Sequence, residues 1–199
     1  SCSATSTLKD LTASSTPDTR CYHPQNFDGK WRGPISIRSA LAESRNIPAL
    51  KTLYLSGLFD SLRTARDMGI TSITNPNQYG LTLVLGGGEV SLLEMTSAYG
   101  VFANEGERHP HHSILRVDDA AGNTIYNHEN TSEQVLEKNI ARQITSILSD
   151  DEARAPTFGR NSLLVFPNRD VAAKTGTTNS YRDVWIEGYT PDIVAGAWA

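Results

Sequence analysis

The sequence lacks several features that would each indicate a particular class of protein. No apolar run approaches the roughly eighteen residues of a membrane-spanning helix. Its 18 basic and 22 acidic residues give a net charge of -4, so there is no positive excess for nucleic-acid binding. No signal peptide, internal repeat or low-complexity tract is visible. What remains is a chain of 199 residues, long enough for one domain with a sizeable core.

Cysteine is scarce, since the chain contains only Cys2 and Cys21. In an oxidising compartment these thiols could form a disulfide that closes a loop of about twenty residues, worth roughly 3 kcal/mol in the loop-entropy description. The alternative is a pair of free thiols, and the sequence favours neither.

The most informative motif present is Lys174-Thr175-Gly176-Thr177, which follows an apolar run and precedes a polar turn. On an exposed edge strand, the lysine charge and the two hydroxyls would form a receptor for a carboxylate. Gly176 has no side chain, so a second chain could approach the strand closely. Such an edge can bind a peptide substrate as an additional β-strand.

A second candidate group is Ser44 and Asn46, in a polar break between two segments of helical pattern. Pro48 disfavours helical geometry at Ile47, so we expect Ser44 and Asn46 to lie on a tight connection between two helices. A hydroxyl and an amide two residues apart could then point into one cleft. The alternative interpretation is an ordinary polar helix end.

A third candidate is the pair Ser6 and Lys9 in an S-x-x-K pattern. On a helix, residues three apart share a face, so Lys9 could accept the proton of the Ser6 hydroxyl. This pattern is frequent by chance, and its order relative to the other motifs is more informative. S-x-x-K, then S-x-N, then K-T-G is the set typical of penicillin-binding proteins and class A β-lactamases.

Three longer stretches, 22–50, 79–106 and 173–192, resemble the transpeptidase domain of class A penicillin-binding proteins and occur in that family's order. The resemblance implies an α/β (α+β) fold of the penicillin-binding protein/β-lactamase type, with an antiparallel sheet packed against helices. Residues 1–199 would form a fragment of this domain that is incomplete at both ends. Residues 1–21 would be an atypical or abbreviated nucleophile region.

The nucleophile region departs from the family pattern. Lys9 is followed by Asp10 instead of a proline and an aromatic residue, and Thr16-Pro17-Asp18 begins only seven residues after Lys9. Too little chain remains for the long buried helix that normally carries the serine. Ser6 could be the nucleophile of an abbreviated version, the true S-x-x-K could lie outside this chain, or an intervening segment could be missing.

The resemblance implies a D,D-transpeptidase that cross-links peptidoglycan stem peptides through a serine acyl-enzyme and that β-lactams inhibit. Lys174, Thr175 and Thr177 would hold the terminal carboxylate of D-Ala-D-Ala, and the Thr177 N–H would contribute to the oxyanion hole. Ser44 would relay a proton to the leaving amine, and Asn46 would bind the substrate amide. No cofactor, metal or nucleic-acid partner is implied.

The resemblance also implies a location on the extracytoplasmic face of the bacterial cytoplasmic membrane, with a membrane anchor only in the parent protein. Two other functions stay open. A β-lactamase or β-lactam sensor would use the same motifs, but a β-lactamase needs a general base for deacylation that the sequence does not identify. A truncated, catalytically inactive penicillin-binding module would also fit the unusual Ser6 region.

Local patterns predict the remaining elements. Helices are expected over 58–68, from the Ser91/Glu94 capping box to about 102, and from a capping box at 131–134 through 148. A hairpin is expected over 113–126, a loop over 150–168, and a strand, turn and strand over 186–199.

Two apparent sites are better explained as ordinary structure. The run Gly86 to Gly88 is not followed by the lysine of a phosphate-binding loop, so we interpret it as a turn. The histidines at 109, 111 and 112, with Glu105 and Glu107, occupy a proline-containing loop and are interpreted as a solvated cluster.

Overall fold

Helices pack against a three-stranded antiparallel sheet in the computed structural model, which describes residues 24–75, 78–178 and 182–199. The helices are α1 (Ile37–Ala42), α2 (Asn46–Ser56), α3 (Leu58–Asp67), a 3-10 helix (Leu81–Leu85), α4 (Leu92–Ala103), α5 (Lys138–Leu148) and α6 (Asp151–Phe158). The strands are β1 (Glu107–Arg108), β2 (Arg116–Asp118), β3 (Thr124–Asn127), β4 (Glu133–Gln134), β5 (Ala172–Thr177), β6 (Val184–Tyr189) and β7 (Val194–Trp198).

The main sheet has the strand order β5–β6–β7, so β5 lies at an edge among the described strands. In its antiparallel register, Lys174 lies opposite Glu187, and Glu187 lies opposite Gly196. This confirms the predicted edge strand for the K-T-G-T motif and the predicted strand, turn and strand near 186–199. Two smaller antiparallel pairs, β1–β4 and β2–β3, lie outside this sheet.

The core lies between this sheet and helices α4 and α5. Leu148, Ala172 and Tyr189 form its buried centre, and Tyr99 and Phe102 of α4 pack against them. The rings of Tyr99 and Tyr189 meet edge to face at 6.2 Å, a favourable aromatic arrangement. Residues 1–21, including Ser6, Lys9, Cys2 and Cys21, lie outside the described part of the chain.

Several predicted elements are confirmed. Helix α3 follows the expected bounds, and α4 begins where the Ser91 hydroxyl accepts the N–H of Glu94 at 3.2 Å. The predicted hairpin is the β2–β3 pair, and Gly86 adopts a left-handed conformation at φ 94° as the residue that ends the 3-10 helix. Among the described residues, no helix is both long and apolar enough to cross a membrane.

The capping box predicted at 131–134 is wrong. Helix α5 begins at Lys138, and Glu137 precedes it without a side-chain cap. Gln134 instead lies in β4 opposite Glu107, and its side-chain amide donates to the backbone carbonyl of Glu105 at 3.1 Å. Strand pairing to a segment about thirty residues earlier therefore overrides the local helix-start signal.

The loop predicted over 150–168 is also partly wrong, because helix α6 occupies its first half. Asp150 caps this helix by accepting the N–H of Ala153 at 2.8 Å, and Asp151 and Glu152 carry negative charge in the first turn. The acidic residues that suggested a loop are those that favour a helix N-terminus. Pro156 lies within the helix despite its missing N–H.

Candidate functional site

Ser44 lies on a tight turn between α1 and α2, as predicted. Its φ of 56° falls in the left-handed region, which is unusual for a residue with a side chain. Asn46 is the first residue of α2, so the expectation that Pro48 would keep Ile47 out of a helix is wrong. Proline is tolerated in a first helical turn because its missing N–H would have no partner there.

A buried ion-pair network fixes this turn. Arg45 and Glu43 are both 6% exposed, and their side chains pair at 2.9 Å and 3.0 Å on either side of Ser44 in the sequence. Arg45 also binds Asp28 at 2.8 Å, and Arg32 reaches Glu43 at 3.1 Å. The hydrogen bond from Arg45 is the main reason that the pKa of Asp28 is lowered.

The segment before α1 wraps over the start of α2. Asn46 donates its side-chain amide to the backbone carbonyl of Gln25 at 2.8 Å, and Asn26 accepts the N–H of Ile47 at 3.2 Å. Asn26 thereby satisfies one of the free N–H groups at the helix N-terminus. The amide of Asn46 is thus held on the side of the helix that faces residues 24–30.

Lys174 of β5 contacts the Ser44 turn directly. Its Nζ donates to Ser44 Oγ at 2.6 Å and to the backbone carbonyl of Thr175 at 2.6 Å. Burial lowers the pKa of Lys174 from 10.5 to about 8. The structure therefore brings together two of the motifs singled out in the sequence and gives the lysine a proton affinity suited to proton exchange near neutral pH.

The other residues of the K-T-G-T motif lie on β5, which is an edge strand among the strands that the structure describes. The N–H of Thr178 bonds to the carbonyl of Asp183 at 3.0 Å, which fixes the alternation of hydrogen-bonded pairs between β5 and β6. Because bonded and non-bonded pairs alternate, the backbone N–H groups of Thr175 and Thr177 face away from β6. Within the described residues, neither threonine hydroxyl has a hydrogen-bond partner.

Gly176 has a neighbour inside the sheet. A Cβ added at this position would lie 3.3 Å from Cβ of Trp185, so the missing side chain leaves room for the cross-strand tryptophan. This requirement is additional to the close approach of a second chain that the sequence suggested.

Helix α1 is clamped to α5, which sets the distance between the Ser44 turn and the sheet. The Arg38 guanidinium donates to the backbone carbonyl and the hydroxyl of Ser146, each at 2.9 Å, and to Asp150 at 2.9 Å. These contacts join residues more than 100 positions apart. They supplement the direct hydrogen bond between Lys174 of β5 and Ser44 of the turn.

Glu187 is a buried carboxyl that the sequence interpretation did not single out. It is 3% exposed, lies opposite Lys174 in β6, and has Thr96 as its hydrogen-bond partner at 3.4 Å. Its carboxylate fills the space over Gly196, because an added Cβ there would lie 2.5 Å from Oε2. Burial raises its pKa to about 7. The alternation of inward-facing and outward-facing side chains along β6 was the sequence signal that could have identified Glu187 as a buried residue.

The histidine-containing loop lies apart from Lys174. His109 contacts Asn130 at 3.3 Å, and the ring centroids of His112 and His128 lie 3.6 Å apart with the rings tilted by 38°. Burial, followed by the neighbouring charge of His128, lowers the pKa of His112. Among the described residues, no three side chains form a group able to hold a metal ion.

Together the described residues form an edge strand with outward N–H groups, two free hydroxyls, and a lysine bonded to a serine on a fixed turn. Such an arrangement can bind an extended peptide by its backbone and attract its carboxylate. The Lys174–Ser44 pair can pass a proton within the same site.

Comparison with known proteins identifies the family to which this chain is similar. Residues 3–195 match the family described as "Penicillin binding protein transpeptidase domain". Penicillin-binding protein 2D of Bacillus subtilis (strain 168) is 34% identical over 183 residues, which cover 89% of this chain and 26% of that protein. The chain spans about a quarter of the length of the relatives it matches.

Solved structures share the fold. Penicillin-Binding Protein 1A from Haemophilus influenzae aligns with a TM-score of 0.76 at 21% identity, covering 92% of this chain and 32% of the other. PonA1 from Mycobacterium tuberculosis, solved in complex with penicillin V, aligns with a TM-score of 0.72 at 27% identity, covering 87% and 50%. The fold class predicted from the sequence is thereby confirmed.

Proposed function

Because this chain belongs to the penicillin-binding protein transpeptidase family, we propose that it is a D,D-transpeptidase site that binds peptidoglycan stem peptides ending in D-Ala-D-Ala. The observation that carries the proposal is the 2.6 Å hydrogen bond from Lys174 to Ser44. It joins the K-T-G and S-x-N motifs across 130 residues of sequence in one site.

The substrate would lie antiparallel or parallel along the free edge of β5. The outward N–H groups of Thr175 and Thr177 would bind its backbone, and the positive charge of Lys174 with the two hydroxyls would attract its terminal carboxylate. The outward N–H of Thr177 also suits one half of an oxyanion hole, which would stabilise the tetrahedral intermediate. Asn46, at the start of α2, would bind the amide of the substrate.

The chemistry would be acyl transfer in two steps. A serine Oγ, for which Ser6 is the candidate and Lys9 the base, attacks the carbonyl of the penultimate D-Ala. The C–N bond breaks, and the terminal D-Ala leaves as an amine after receiving a proton through Ser44 and Lys174. The amine of a second stem peptide then attacks the ester, forms the cross-link and returns the proton to the serine.

β-Lactams would react with the same serine, since their strained amide resembles the D-Ala-D-Ala bond. PonA1, which is 27% identical over most of this chain, was solved with penicillin V. The substrate is a component of the cell wall, so we propose that this domain acts on the extracytoplasmic face of the cytoplasmic membrane. Residues 1–199 would be one part of the transpeptidase domain, with 1–21 as its nucleophile region.

Labelling with a fluorescent penicillin, followed by peptide mass spectrometry, tests the proposal. We expect an adduct on Ser6 that S6A abolishes and that K174A and S44A slow by at least about tenfold, as for loss of proton transfer. S113A removes an exposed hydroxyl outside the K-T-G strand, serves as the matched control and should label normally.

Other outcomes identify the alternatives. Rapid turnover of a chromogenic cephalosporin without a stable adduct would indicate a β-lactamase. Binding of a D-Ala-D-Ala peptide without any adduct would indicate an inactive penicillin-binding module. If neither binding nor labelling occurs, the proposed function is wrong for this chain.

A further inference from the structure

The outward N–H of Thr177 belongs to the last residue of β5. Thr177 pairs with Val184, and the strand ends there. By the same alternation that turns this N–H outward, the preceding Gly176 forms a hydrogen-bonded pair with Trp185, which holds the peptide group from one side. The ends of secondary-structure elements open most readily. The orientation of the Thr177 N–H therefore depends on what holds the chain directly after it.

Thr178 and Asp183 form a clasp of three hydrogen bonds at this point. The Thr178 N–H donates to the Asp183 carbonyl at 3.0 Å, and the Asp183 N–H donates to Thr178 Oγ1 at 2.9 Å. The Thr178 hydroxyl in turn donates to Asp183 Oδ2 at 2.9 Å. The last two bonds use side-chain atoms, and they extend the pairing of β5 and β6 by one residue pair beyond Thr177.

The carboxylate of Asp183 is anchored from a second direction. Its Oδ1 accepts the indole N–H of Trp198 in β7 at 3.1 Å. Trp198 lies opposite Trp185 in the sheet, and the centroids of the two ring systems are 6.2 Å apart. Both carboxylate oxygens of Asp183 thus accept a hydrogen bond, and bonds to a charged acceptor are stronger than those between neutral groups. Asp183 therefore links the end of β5 to the third strand of the sheet.

The methyl group of Thr178 is confined as well. A Cβ added at Gly86 would lie 3.4 Å from Thr178 Cγ2, so the turn that ends the 3-10 helix passes close to this methyl group. A β-branched side chain has few rotamers. With its hydroxyl bonded to Asp183 and its methyl group beside Gly86, the Thr178 side chain is fixed in one of them.

We propose that Asp183 is a positioning residue, which acts through Thr178 to fix the Thr177 N–H that would complete the oxyanion hole. The inference rests on the proposed transpeptidase function, because the acyl-transfer step is what uses this N–H. A donor stabilises an oxyanion best when it is held in place before the charge develops. Loss of the clasp should therefore slow acylation. The affinity for substrate should change little, since the Lys174 charge that attracts the carboxylate is untouched.

Four variants isolate the clasp. D183A removes both acceptor oxygens of the carboxylate, and T178V removes the hydroxyl but keeps the methyl group beside Gly86. T178S keeps the hydroxyl and is the rescue variant. D192A, at an exposed aspartate between β6 and β7, is the matched control.

NMR relaxation of the backbone amides tests the positioning independently of activity. We expect the order parameter of the Thr177 N–H to be about 0.85 in the wild type, T178S and D192A, as in rigid backbone. In D183A and T178V it should fall toward about 0.6, the range of flexible backbone. An unchanged order parameter in these two variants would overturn the proposal.

Stopped-flow labelling with a fluorescent penicillin separates the acylation rate constant from the dissociation constant of the noncovalent complex. We expect D183A and T178V to lower the rate constant by about ten- to 100-fold and to change the dissociation constant by less than about twofold. T178S and D192A should behave like the wild type. A residue with only a structural role would reduce the folded fraction and leave the rate constant of that fraction unchanged, which would overturn the proposal.

Failure of the proposed function gives a different result. In that case no variant is labelled, the wild type included, and the order parameter of Thr177 alone decides whether Asp183 holds this N–H. If D183A does not fold, T178V supplies both measurements.

Discussion

Glu43 and Arg45 pair with each other across Ser44, so the two neighbours of the candidate serine hold its turn by their own side chains. Both are 6% exposed, and Asp28 and Arg32 extend the pair into a four-residue network. A residue at φ 56° needs such surroundings, because the left-handed conformation is unfavourable for serine in an unconstrained chain.

Removal of Arg45 should destabilise the fold strongly. In R45M the buried Glu43 loses its main partner, and an uncompensated buried charge typically costs about 3 kcal/mol. Urea denaturation followed by circular dichroism measures the change in the free energy of unfolding. R63M, which removes an exposed arginine paired with Asp60, should change it by less than about 0.5 kcal/mol. Equal effects of the two variants would contradict the role assigned to the network.

Comparison of S44G with S44A separates the backbone of the turn from its hydroxyl. Both variants lose the hydrogen bond to Lys174, but only glycine adopts the left-handed conformation without a steric penalty. We expect S44G to be more stable than S44A by about 1 kcal/mol in chemical denaturation. Penicillin labelling should be equally slow in both. An S44A variant more stable than S44G would show that the turn is not strained.

The sequence was sufficient to predict the edge strand and the Ser44 turn, because both are indicated by residues close together in the chain. The apolar run before Lys174 and the polar break between two helical segments are properties of neighbouring residues. The start of α5 was not predictable in this way, because the strand pairing of Gln134 with Glu107 overrides a local helix-start signal. Helix α6 was missed because the acidic residues at its start, including the capping Asp150, are also typical of a loop. The 2.6 Å contact between Lys174 and Ser44 joins distant segments. The family resemblance placed both residues in one site, but the contact itself was not predicted.

Lys174 should titrate well below an ordinary lysine. Its folded pKa of about 8 lies under the value of 10.5 expected when the chain is unfolded, so the unfolded state binds more protons between these values. The free energy of unfolding should therefore rise as pH increases from about 8 to 10.5. NMR of the lysine 13Cε signals, assigned with K174M, gives the midpoint directly. K51M, at an exposed helix position, should leave the pH dependence unchanged.

Glu187 should produce the opposite slope. Burial raises its pKa from 4.5 to about 7, so the folded state binds more protons in this window and stability falls as pH rises through it. We expect E187Q to be more stable than the wild type at pH 8, by about 1 to 3 kcal/mol, and similar near pH 4. Denaturation at both pH values measures this, with E129Q as an exposed control. No difference at pH 8 would mean that water reaches the carboxylate.

The sequence alone assigns no role to Arg45 or Glu187, and the reason is the same for both. Glu187 is buried with a contact from α4, a segment far away in the chain, and Arg45 is buried beside its near neighbour Glu43. Composition and spacing treat a charged residue as a surface residue by default. For Glu187 the alternation of β6 was an available signal, whereas the burial of Arg45 is shown only by the packed structure.

The separation of 130 residues between Ser44 and Lys174 has a consequence for biosynthesis. At ribosomal rates of about 5 to 20 residues per second, the helical turn is made on the order of 10 s before the strand that completes the site. For most of that interval Arg38 also lacks Ser146 and Asp150, its anchors on and beside α5. Helices α1 and α2 therefore keep apolar surface exposed until β5 has been synthesised. We expect a nascent chain that ends before β5 to bind chaperones preferentially.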